Sequence, residues 1–152
     1  MGAAYFYHLT RAPLEETLAR LIDKARGAGW AIVVRGRDPR RMDLLDRKLW
    51  LQGPDSFLPH GLAGGAHDAL QPVLLTTGPE RANGAECVMA VDGAEVAPDE
   101  VNATQRVCIL FDGHDPEAVQ QARGQWKALV DAGCSAQYWS EESGAWQMKA
   151  ET

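Results

Sequence analysis

The histidines His60, His67 and His114, with the acids Asp112 and Asp115, are the side chains of this sequence best suited to metal ligation or acid–base chemistry. Metal sites on helices usually announce themselves by ligands one turn apart, as in His-x-x-x-His, and that spacing does not occur here. Asp112, His114 and Asp115 more economically describe a loop that caps a following helix, with Asp115 or His114 at the cap and Pro116 in the first turn. A small enzyme or nucleotide-binding domain working through His60 and the Asp112–His114–Asp115 loop stays open as the alternative reading. The serines lack the G-x-S-x-G setting of a nucleophile elbow. Cys87, Cys108 and Cys134 are widely spaced with no Cys-x-x-Cys pair, which argues against a zinc ribbon or a dithiol redox site. Cys87 and Cys108 lie in apolar runs and read as small buried hydrophobes, whereas Cys134, just past Gly133, is compatible with either burial or exposure. No metal or cofactor is expected.

Two other regions read as contact surfaces. Toward the end of the chain, Val119, Trp126 and Val130 form an apolar helical stripe, with Arg123 and Lys127 four residues apart along its edge. An aromatic ring flanked by two cations suits a ligand that carries both an apolar group and a carboxylate. The plainer account is a core tryptophan beside two solvated cations. The second region is LWLQGPDSFLPHGLAG at 49–64, where Trp50, Leu51, Phe57, Leu58 and Leu62 crowd a segment punctuated by Pro and Gly. Such a segment either folds as a lid over a sheet edge or leaves an apolar patch for a partner.

The elements that must position these residues follow from periodicity. AYFYHL (4–9) and the apolar runs at 30–35, 72–77, 86–91 and 106–111 read as strands, and SAQYW (135–139) as another. Leu14, Leu18, Leu21, Ile22 and Ala25 share one helical face, with Thr10 as N-cap and Gly27 and Gly29 as stop signals. A second helix runs from about Asp38 to Trp50 on Met42, Leu45 and Leu49, and a third from about Asp115 to Ala132, ended by Gly133. Residues 55–67 read as a loop, 78–84 as a turn, and the Pro98 stretch as a polar connection; AWQMK (145–149) closes the chain. Strand–helix–strand–helix order implies one α/β domain with a mostly parallel sheet flanked by helices.

That fold invites a nucleotide site, but the first strand is followed by HLTRAPLEE, without glycines for a G-x-G-x-x-G turn, and no phosphate-binding G-x-x-x-x-G-K-[ST] loop occurs. The composition, 152 residues with 45% hydrophobic and 24% charged, is that of a globular domain, and a net charge of −6 disfavours broad contact with nucleic acid. No apolar run reaches membrane-helix length, no secretory leader is legible, and the cysteine usage is that of a reduced, cytoplasmic protein.

Several blocks, in order, resemble one family: YFYHL near the start, LLDRKLW (44–50), DSFLPHGLAG (55–64), QPVLLTT (71–77) and ARGQWKALVDAGCSAQYW (122–139). Together they make the chain similar to the chi subunit of the bacterial DNA polymerase III holoenzyme, a clamp-loader accessory protein. The SFLPH-x-L-A-G block is the most specific, and residues 78–105 lie outside the likeness. The resemblance implies a Rossmann-like fold without a nucleotide site and a non-catalytic connector. Such a connector binds the acidic C-terminal tail of single-stranded DNA-binding protein and joins the clamp loader through the psi subunit. Carried over by position, the tail-binding cluster is Arg123, Trp126 and Lys127, and the psi or clamp-loader surface draws on Trp50, Phe57 and Pro59.

Overall fold

Strand β1, Ala3–Leu9, sends alternate side chains to opposite faces: Ala4 and Phe6 are buried against one layer, Tyr7 packs into the other. It lies inside an eight-stranded sheet in a computed structural model that describes residues 2–50, 61–62, 72–78, 81, 83–141 and 146–151. The chain continues through α1 (Leu14–Gly27), β2 (Ile32–Arg35), α2 (Pro39–Trp50), β3 (Gly61–Leu62), β4 (Val73–Thr76) and β5 (Cys87–Ala90). It ends with α3 (Pro98–Ala103), β6 (Arg106–Asp112), α4 (Pro116–Asp131), β7 (Ser135–Ser140) and β8 (Gln147–Glu151). The strand order is β3-β4-β2-β5-β6-β1-β7-β8, parallel throughout except for β8, which pairs antiparallel with β7.

Helices cover both faces, which is why β2 and β5 are buried at every position and read as unbroken apolar runs. On one face Leu18, Ile22 and Ala25 of α1 and Met42, Leu45 and Leu49 of α2 pack on Ile32, Val34, Leu75, Met89 and Leu110. On the other, Val101 of α3 and Ala122 and Leu129 of α4 pack on Phe6, Val88, Val107, Ile109 and Ala136. Gly29 and Gly133 take φ of 84° and 87° just past α1 and α4, a conformation only glycine adopts cheaply.

Three expectations need correction, and one segment without an assigned element is a strand. Thr10 does not cap α1: Pro13 holds the cap position at φ −60°, and no side chain caps the helix there. The Pro98 stretch is helix α3, whose six residues bury only Val101, too short a run to show periodicity. The last segment is a strand whose side chains are all exposed, so backbone pairing rather than an apolar pattern forms it. Gly61–Leu62, inside the expected loop, pairs with β4. Cys134 is buried at 5% exposure, its thiol facing the carbonyl of Pro98 at 3.8 Å.

Candidate functional site

Helix α4 is capped by the Asp115 side chain, which accepts from the N–H of Glu117 at 3.0 Å, with Pro116 opening the first turn. Its flank is tied to the β5–α3 connection by two amides one turn apart: Gln121 donates to the carbonyl of Gly93 and Gln125 to that of Val96. With that flank fixed and Ala122 and Leu129 buried, Arg123 and Lys127 are left exposed on the outer side. Between them in sequence, Trp126 is half-buried. Its ring meets Phe6 edge-on at 5.3 Å and 69°, and Tyr138 at 6.0 Å and 78°.

Trp126 is thus packed on Phe6 and Tyr138 and remains partly exposed. Lys127 bridges Asp131 at 3.2 Å with both side chains mostly exposed, a contact worth little in water. Arg123 has no ion-pair partner among the described residues.

Sequence reasoning missed the aromatic cluster behind Trp126. His8 stacks at a tilt on Phe111 with centroids 5.1 Å apart, and its Nδ1 lies 2.8 Å from the Tyr138 hydroxyl. Parallel register places Phe6 opposite Tyr138 and His8 opposite Phe111. The available signal was the alternation of Phe6 and His8 on β1, but their partners are set by strand order, which no local pattern states.

The acid–base candidates sit elsewhere. Strands β1 and β6 are neighbours whose helices, α1 and α4, leave to opposite faces. A cavity of about 860 Å³ opens beyond their ends, lined in part by Asp112, His114 and Asp115. This is where an α/β fold would take a ligand; Asp112, His114 and Asp115 each have a structural partner there, while the buried Thr10 hydroxyl has none among the described residues. Asp112 accepts from the N–H of His114 at 2.9 Å, and the His114 ring donates to the Thr10 carbonyl at 2.8 Å. Arg41 pairs with Asp92 at 3.2 Å.

The backbone amides of Thr10, Arg11 and Ala12 converge on one oxygen of Glu141 at 3.0, 2.8 and 3.0 Å. A carboxylate of the chain itself therefore fills the turn after β1. Burial raises the pKa of Glu141, but the three N–H donors outweigh it and the net shift is downward.

No three His, Cys, Asp or Glu side chains gather as a metal-ligating set among the described residues. Trp50 is the last residue of α2, while Phe57, Pro59, His60 and His67 lie outside the described residues. No helix among the described residues is long and apolar enough to cross a membrane.

The family model described as DNA polymerase III chi subunit, HolC, matches residues 1–137. A protein of Rickettsia prowazekii (strain Madrid E) named probable DNA polymerase III subunit chi is 22% identical over 111 residues, which span 70% of this chain and 67% of that protein.

Proposed function

This chain belongs to the DNA polymerase III chi subunit family, an accessory subunit of the replicative polymerase, and we propose that it serves there as a non-catalytic adaptor. One surface takes the acidic C-terminal tail of single-stranded DNA-binding protein; a second, drawing on Trp50, Phe57 and Pro59, meets psi or another clamp-loader component. The observation that carries the first part is the outer edge of α4, where Arg123 and Lys127 are exposed beside the half-buried Trp126. A tail ending in an apolar residue needs an apolar edge for its side chain and cations for its acids and terminal carboxylate. At a net charge of −6 the attraction must be local, and salt weakens it. The Glu141 carboxylate in the β1–α1 turn also favours an adaptor over a phosphate-binding enzyme, because the amides that would cradle phosphate already have an anion.

The test is fluorescence anisotropy of a labelled acidic peptide ending in Ile-Pro-Phe at two salt concentrations. We expect saturable binding with a Kd on the order of micromolar, the scale for a short segment that orders on binding. Arg123→Ala and Lys127→Ala each weaken it by about 1–3 kcal/mol. They are cleaner variants than Trp126→Ala, which also removes a ring packed on Phe6 and Tyr138. Full-strength binding by both cation variants would refute the site.

A further inference from the structure

On the sheet face away from α4, a cavity of about 710 Å³ opens between α1 and strands β5, β6, β1 and β7. Its walls include Tyr5, Tyr7, Trp30, Trp139 and Trp146. Into this aromatic setting β6 places Arg106, whose guanidinium carbon lies 4.2 Å from the Tyr5 ring centroid and 5.4 Å from that of Trp30. Trp146 closes on Tyr7 edge-on at 5.5 Å.

Two buried polar groups here lack hydrogen-bond partners among the described residues. Arg106 makes no ion pair among the described residues, and its Nε is buried with no acceptor. Thr17, only 3% exposed, lines the same cavity with its hydroxyl equally unpaired. An arginine held among rings, with a buried N–H unanswered, is costly unless something with acceptors occupies the space. Stacking on Tyr5 leaves the planar edge of the guanidinium suited to an oxyanion. Burial lifts the Tyr7 phenol well above its ordinary pKa, with the Arg106 charge opposing, so its hydroxyl stays a donor.

We propose that this cavity binds a small molecule carrying one carboxylate on a flat ring, with the carboxylate on Arg106 and the ring among the tyrosines and tryptophans. Among the described residues, Arg106 is the one cation set among the rings. Arg20, 63% exposed, is already bridged to Glu16, and Lys24 is exposed beside Asp23, the one acid of the lining among the described residues. That balance suits a monoanion better than a phosphate monoester. Convergent polar groups in a mostly apolar concavity are the ordinary form of a small-ligand site. The cavity is separate from the α4 surface, and two of its tryptophans, Trp139 and Trp146, lie beyond residue 137, where the family match ends.

The test is calorimetric titration of the full chain with naphthoate, naphthamide and naphthyl phosphate. Naphthoate should bind saturably at one site, and neutral naphthamide about tenfold more weakly or worse. Arg106→Gln should reduce naphthoate binding by about the same factor, and Tyr7→Phe, which keeps the ring, severalfold. Lys127→Ala should leave it unchanged. If Arg106→Gln does not fold, the naphthamide and Tyr7→Phe comparisons decide. No naphthoate binding, equal binding of naphthamide, or tighter binding of naphthyl phosphate would overturn the proposal. Displacement by the acidic tail peptide or loss in Lys127→Ala would also overturn it, by merging this cavity with the tail site.

Discussion

Glu141 is the residue whose replacement most directly tests how the β1–α1 turn is held. Its side chain is 6% exposed, and one carboxylate oxygen accepts three backbone N–H groups from a turn that precedes it by about 130 positions. A hydrogen bond to a charged group contributes about 1.5–3 kcal/mol. Three on one oxygen do not add fully, and the N–H of the exposed Arg11 regains water when the carboxylate is removed. Glu141→Ala should therefore cost about 2–4 kcal/mol, and Glu141→Gln, which keeps an acceptor but not the charge, about 1–2.

The sign of the pH dependence follows from the lowered pKa in the folded state. Folding favours the ionised form, so the contribution is complete above the unfolded carboxylate value of about 4.3. It disappears as pH falls through the still lower folded value. Urea unfolding followed by circular dichroism at pH 7 and at successive steps below pH 4 should show the gap between wild type and Glu141→Gln closing with acid. Glu141→Ala, with three amides released, should gain more stability than wild type does in sulfate relative to chloride at equal ionic strength, beyond the general stabilisation sulfate gives both. A gap that does not change with pH, or a Gln variant as stable as wild type at pH 7, would refute the reasoning.

Arg35 offers a harsher test of packing. It is 4% exposed and its guanidinium forks onto Glu100 at 2.5 and 2.7 Å, fastening α3 to the end of β2. Arg35→Ala should cost about 3–5 kcal/mol by leaving the Glu100 carboxylate only its looser, 3.7 Å contact with Arg81, and Arg35→Met combined with Glu100→Gln should recover a good part of it; a urea midpoint that hardly moves in the single variant would contradict this. The three thiols, at 1%, 2% and 5% exposure, should react with an aromatic disulfide reagent about 100-fold or more slowly in the native protein than in urea. Burial raises the pKa of Cys134, and the contact with Cys87 together with burial raises that of Cys108; prompt labelling of either would show the face above it to be open.

Periodicity disclosed the elements that bury a continuous face. The α1 stripe of Leu18, Ile22 and Ala25 and the runs of β2 and β5 are legible because every second, third or fourth residue answers to the same neighbour layer. It failed where that condition fails: α3 buries one residue and β8 none. The candidate site was half legible for the same reason. Helical spacing places Arg123, Trp126 and Lys127 on adjoining faces of one helix, but the depth of Trp126 depends on Phe6 and Tyr138, brought together only by the β1–β7 pairing.

That pairing is the common cause of what local pattern could not state. β1 lies between β6 and β7, so the chain's first strand carries the registers that assemble both faces. On one face, alternate residues Phe6 and His8 meet Tyr138 and Phe111 behind α4; on the other, Tyr5 and Tyr7 meet Arg106 and Trp146. The same insertion carries Glu141, one residue past β7, under the turn that leaves β1. Because successive residues of a strand face opposite ways, a slip of β1 by one residue would dismantle the packing behind Trp126 and the aromatic cavity together. The Glu141 contact with the turn after β1 holds only in the native β1–β7 register.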